Sequence, residues 1–225
     1  MFAKVDADYS AFPAEIREAM PFVEGELHEL RTYWEIYKFL FMENENKTRL
    51  LTERLGPMLG LTQTFLGKEM LLSISCLTDQ DSKHQRNVSL WQLTKAIYAA
   101  KDKEFERKVN SALSVISGTV AKIRRHRHKG IAHLDLDVAV GLNSLPEVLL
   151  SEIRLALEQM EAYLNLYQWE FQKNEVSYKD LPCDEFTAVA YWTACKAKAF
   201  DELEAEGVIP IGGLERRMEI WKIEN

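Results

Sequence analysis

The stretch Lys122–His133, KIRRHRHKGIAH, puts three histidines (His126, His128, His133) and five cations (Lys122, Arg124, Arg125, Arg127, Lys129) into twelve residues. Three uses of such a cluster compete. His-x-His can hold zinc, but no Asp, Glu or Cys stands among these residues and the cations would repel the ion, so no metal is expected. A structural use is open: cations suit the carbonyl end of a helix, and His133, between Ala132 and Leu134, would be a satisfied buried residue. The third use is phosphodiester chemistry. Histidine titrates near neutrality, so it can take the proton from an RNA 2′-hydroxyl or protonate the leaving 5′-oxygen. Arginine keeps its charge and forks onto phosphate oxygens as negative charge builds there. On this reading Arg127 and His133 are the working pair, and Arg124, Arg125, Lys129 and Lys122 hold the RNA backbone, a contribution that salt weakens. No cofactor is expected.

The charge distribution favours an anionic ligand at this place. The chain carries a net charge of −7, which argues against a general coat of nucleic acid. From Arg107 through Leu134, however, there is no Asp or Glu, and seven Lys and Arg side chains fall there. A focused basic site on an acidic body attracts one anionic ligand. Geometry adds a condition. Arg127 and His133 are six residues apart and would point about 240° away from each other on an unbroken α-helix. Gly130 is expected to end the helix in the left-handed conformation and let His133 swing back towards Arg127. His126 is left as a bystander.

The elements that must position this cluster read as helices. With 47% hydrophobic and 28% charged residues the chain can bury a core, and only 10 Gly and 6 Pro argue against a many-turned β architecture. Leu27, Leu30, Trp34, Tyr37 and Phe41 mark a first amphipathic helix from Glu24. Gly56-Pro57 interrupts, and a second, very apolar helix spans about Met58–Asp79 with Leu61, Phe65, Leu72 and Cys76 along one side. Met58, Phe65 and Met70 are read as core. Ser89 with Gln92 forms a capping box for a third helix carrying Leu93 and Ile97. Phe105, Val109, Ala112, Ile116, Val120 and Ile123 mark a helix that runs into the basic cluster. Ser144 with Glu147 and Pro146 opens a long helix carrying Ile153, Met160, Tyr163, Leu164, Tyr167 and Phe171. A further helix reaches about Glu206, before Gly207. Trp192 and Trp221 are read as packing aromatics.

The fold class is therefore all-α: an antiparallel four- or five-helix bundle over residues 24–173, a lead-in over 1–23 and a helical C-terminal appendage over 174–225. Three scattered cysteines (Cys76, Cys183, Cys195) fit a reducing compartment. No basic-then-apolar leader and no uncharged apolar run approaching about 18 residues is present, so a cytoplasmic location without a membrane partner is expected.

An arginine, a polar residue and a histidine a few positions on resemble the signature of the HEPN superfamily of small helical bundles. Arg127, His128 and His133 match it with five residues between Arg and His. The continuation Ile131-Ala132-His133-Leu134-Asp135 is similar to the abortive-infection AbiU branch. So is the order of elements: a Trp/Tyr-rich first helix, an apolar second ending in Leu77-Thr78-Asp79, and Ser89-Leu90 opening the third. Over residues 24–173 the resemblance implies a metal-independent endoribonuclease of an antiphage, abortive-infection or toxin–antitoxin system, working as a homodimer whose two motifs form one cleft. It implies that Arg127 stabilises the scissile phosphate, His133 acts as acid/base and His128 supports Arg127. It also implies a neutralising partner such as an antitoxin. A nucleotidyltransferase-linked subgroup carries a modified tyrosine two places after the histidine; Asp135 stands there, which speaks against that route of inactivation. Many relatives place an acidic residue on an earlier helix. Glu69 and Asp79 are the candidates, though a solvent face and a helix terminus account for them as well. A non-catalytic RNA- or nucleotide-binding scaffold remains the alternative.

Overall fold

The computed structural model describes residues 8–80, 87–100, 102–132, 144–178 and 183–210. Every regular element among them is helical: α1 (Ala14–Phe41), α2 (Glu45–Thr78), α3 (Leu90–Ala100), α4 (Lys103–Thr119), α5 (Ala121–His126), a π-helical turn (Arg127–Ala132), α6 (Leu150–Gln172) and α7 (Cys183–Ala205). The all-α expectation holds. The helices are distributed over two compact units, residues 1–37 with 63–181 and residues 38–62 with 182–225.

The first unit is an antiparallel bundle centred on α6. Phe12, just before α1, stacks near Phe171 (ring centroids 5.5 Å apart), while Arg31 Nε pairs with Glu161 Oε1 at 2.7 Å. The two helices therefore run in opposite directions. The same holds for α4–α5: Phe105 meets Tyr167 edge-on at 5.4 Å, and Lys122 Nζ reaches Glu152 Oε1 at 2.7 Å. Val109, Leu113, Ile116, Val120 and Ile123 on α4–α5 and Ile153, Leu157, Met160 and Leu164 on α6 are all buried. Each such side chain contributes about 1.5–3 kcal/mol by leaving water. The buried tyrosines keep their hydroxyls bonded: Tyr163 donates to the Leu90 carbonyl at 2.9 Å, and Thr94 Oγ1 lies 2.7 Å from it. Burial pushes the ionisation of Tyr163 and Tyr167 far above the ordinary phenol value.

Several expectations need correction. The first helix starts at Ala14, ahead of Glu24, because Ile16, Met20 and Val23 extend the buried stripe and only Pro21 breaks the donor pattern. Gly56-Pro57 is a kink within α2, where Gly56 takes φ 33°, a value that suits glycine. The inward side of α2 is Leu59, Leu66, Met70, Ile74 and Leu77, whereas Met58, Leu61, Phe65 and Cys76 are exposed. The period was masked because Ser75 and Thr78 also face inward. Their hydroxyls are satisfied by the Leu71 and Ile74 carbonyls of their own helix at 2.8 and 2.7 Å.

Neither capping box forms as expected. Buried Ser89 Oγ has no hydrogen-bond partner among the described residues, and the Gln92 N–H bonds the Ser89 backbone carbonyl at 3.0 Å. Residues 144–149 are not helical; α6 begins at Leu150, with Glu152 Oε2 accepting from the Leu149 N–H at 2.9 Å.

In the second unit the start of α2 is capped by Asn44 Oδ1, which accepts from the Asn46 and Lys47 N–H groups at 2.9 and 3.1 Å. Arg54 pairs with Asp201. α7 ends before Gly207, whose φ of +71° is left-handed. Trp192 is 61% exposed, contrary to its reading as a packing residue, and Trp221 lies outside the described residues.

Candidate functional site

The apolar stripe of α4 carries through Val120 into α5, because the Val120 N–H still bonds the Ile116 carbonyl and the Arg124 N–H the Val120 carbonyl, both at 2.9 Å. Buried Ile123 anchors α5, so the next residues are delivered to the end of the bundle. There the helix widens instead of stopping. Arg127–Ala132 form a π-helical turn, a feature that recurs at functional sites. Gly130 does not take a left-handed conformation; its contribution is close approach, since a Cβ on it would come 3.0 Å from Leu145 Cδ1. The segment 144–149 thus crosses the turn as a strap. His126, expected to be a bystander, fastens it: its Nε2–H donates to the Pro146 carbonyl.

Arg127 lies in this turn. Its Nη1 pairs with Asp79 Oδ2 at 3.2 Å, the two side chains being 32% and 26% exposed. Its Nε is buried and has no hydrogen-bond partner among the described residues. Cys76, one turn back on α2, feels the same guanidinium; although its side chain is exposed, partial desolvation of the sulfur pushes its thiol up and Arg127 opposes that shift. A guanidinium carries five N–H donors, so an edge given to Asp79 leaves others for a phosphate. Asp79 therefore does more than end a helix. Glu69 instead lies within electrostatic reach of Tyr33.

The remaining candidates separate. Arg124 turns inward: its guanidinium bonds the Thr78 carbonyl, and its Nε reaches Thr78 Oγ1 at 3.3 Å. Burial lowers its pKa, with nearby Asp79 opposing. Lys122 is engaged by Glu152 but half exposed, Arg125 and His128 are exposed, and Lys129 is half-buried. His133 and Asp135 lie outside the described residues. Among the described residues no group of three His, Cys, Asp or Glu could hold a metal ion, and no helix is long and apolar enough to cross a membrane.

The sequence nominated Asp79 beside Glu69 but left a helix terminus as its simpler account, and it gave no hint that Cys76 lies near the Arg127 guanidinium. A signal for the Asp79 pairing was present: Arg124 and Arg127 are three apart and so share a helix face, which a helix terminus with its carbonyls and a carboxylate can satisfy.

An all-helical bundle with a basic Arg-polar-x4-His stretch at the end of one helix defines a HEPN-type protein. The family model HEPN_AbiU2, described as AbiU2, matches residues 14–186. The chain belongs to this family and is an abortive-infection HEPN-type protein. Neither the curated proteins nor the solved structures gave a match.

Proposed function

We propose that this protein is a metal-independent endoribonuclease of an abortive-infection or toxin–antitoxin system, cleaving RNA at a cleft formed by two copies of the chain. The observation that carries the reading is the placement of Arg127. Its guanidinium stays partly exposed, is aimed by Asp79 and stands in a π-helical turn among further cations. In the reaction the 2′-hydroxyl attacks the adjacent phosphorus and the bond to the 5′-oxygen breaks, giving a 2′,3′-cyclic phosphate and a 5′-hydroxyl. Arg127 stabilises charge on the non-bridging oxygens, and His133 moves the proton. Two motifs across a two-fold axis would provide one histidine as base and one as acid. His128 supports Arg127, while Arg125, Lys129 and Lys122 hold the backbone of the RNA. A neutralising protein that covers the basic turn would keep the activity in check.

The test is RNA cleavage by purified protein in EDTA. Arg127→Ala and His133→Ala are expected to abolish it, and to relieve growth inhibition on expression, while the helical CD spectrum is kept. Removing one such electrostatic donor costs about 10²–10³ in rate. Equal cleavage by wild type and both variants would identify a contaminating nuclease and sink the reading. RNA binding without product at any protein concentration would support a non-catalytic scaffold instead.

A further inference from the structure

Arg124 and Arg127 stand one helical turn apart and grip consecutive residues at the end of α2, its last residue Thr78 and the following Asp79 respectively. The first grip is elaborate. Thr78 is fully buried, and its carbonyl accepts from both Arg124 and the Trp91 indole N–H, the latter at 3.2 Å. The Arg124 Nε also reaches the Thr78 hydroxyl, which itself donates to the Ile74 carbonyl at 2.7 Å. The last carbonyls of a helix have no intrahelical partner and carry partial negative charge, so a half-buried guanidinium suits them well. Arg125, the next residue, points elsewhere and is exposed. Only one of these neighbours is presented to solvent as a phosphate contact would be.

We propose that Arg124 is a positioning residue that locks the end of α2 so that Asp79 meets Arg127, and that it makes no contact with RNA. The inference rests on the reading of Arg127 as the phosphate-binding cation. Its physical basis is leverage: Asp79 directly follows the residue that Arg124 and Trp91 hold, so freeing Thr78 frees the carboxylate that aims Arg127. A displacement of about 1 Å at a reacting centre can cost on the order of a hundredfold in rate.

The experiment compares Arg124→Lys, Arg124→Ala and Arg125→Ala in the full chain, with a mixed-sequence single-stranded oligoribonucleotide as probe. Binding is measured across a salt series and cleavage under single-turnover conditions at saturating RNA. The chain has five tryptophans, so the indole N–H region of a proton–nitrogen correlation spectrum should show five peaks, with Trp91 identified by Trp91→Phe. Both Arg124 variants are expected to keep the wild-type salt slope, lose about tenfold to a hundredfold in cleavage rate, and move the Trp91 peak. Arg125→Ala is expected to lower the salt slope by about one and leave the Trp91 peak in place. The proposal is overturned if Arg124→Ala lowers the slope by about one, Arg124→Lys restores binding, and the Trp91 peak stays put. Should the wild-type chain cut no RNA, the reading of Arg127 falls separately; an unmoved Trp91 peak in Arg124→Lys would still overturn the clamp.

Discussion

Two arginine–carboxylate pairs in the first unit use the same chemistry for opposite ends. Arg31 and Glu161 meet at 2.7 Å between α1 and α6, with side chains only 4% and 12% exposed. Arg127 and Asp79 meet at 3.2 Å at the end of the bundle, with 32% and 26% exposed. Both ions of the first pair gave up most of their hydration, and each helps to make the other tolerable there. In the second pair water shares the task, the attraction is screened, and the ions can be separated at small cost. Burial thus turns one pair into a fixed joint of the bundle and leaves the other with its cation partly open to solvent. Identity of the residues does not distinguish them; desolvation does.

Breaking the buried pair should give the larger effect. Glu161→Ala leaves the Arg31 charge uncompensated and is expected to destabilise the fold by about 3–5 kcal/mol, read by urea denaturation. A loss under about 1 kcal/mol would place that pair in the same class as an exposed one. The same operation at the bundle end should barely register in stability. Asp79→Asn is expected to change it by less than about 1 kcal/mol, yet to lower cleavage about tenfold because Arg127 loses its aim. RNA affinity at low salt should rise, since a competing carboxylate is gone. A large drop in denaturation midpoint with unchanged cleavage would reverse the comparison.

The smallest effect concerns the strap. Glu152 accepts from Lys122 and from the Leu149 N–H, and these bonds hold its carboxyl below the ordinary glutamate value. A depressed folded-state pKa means that its stabilisation is present above the unfolded value and fades as pH falls through the folded one. The melting temperature of Glu152→Gln should therefore lie slightly below wild type at neutral pH, and the gap should close under acidic conditions. A gap that widens with acid would contradict this assignment.

Much of the frame was legible because amphipathic spacing is a local property. Ile123 closes a stripe that begins at Phe105, and that stripe is buried much as its spacing predicts, with Leu113 taking the inward place expected of Ala112. The apolar α2 was not legible in the same way, since inward Ser75 and Thr78 carry no hydrophobic mark and Leu61 and Phe65 carry one while facing out.

By itself the sequence determined an all-helical chain and a basic, histidine-rich stretch at the end of one helix, with Arg127 as its candidate for a phosphate contact. Only the tertiary structure decided what the cations of that stretch touch. Arg124, read as an RNA contact, directs donors to the carbonyl and hydroxyl of a residue 46 positions away, and His126 ties down a strap from 20 residues downstream. Charge and periodicity are written along the chain, whereas a hydrogen-bond partner depends on which helix ends packing brings together. The carboxylate facing Arg127 could be nominated from its place after α2, and became a partner only when α2 and the π-helical turn met.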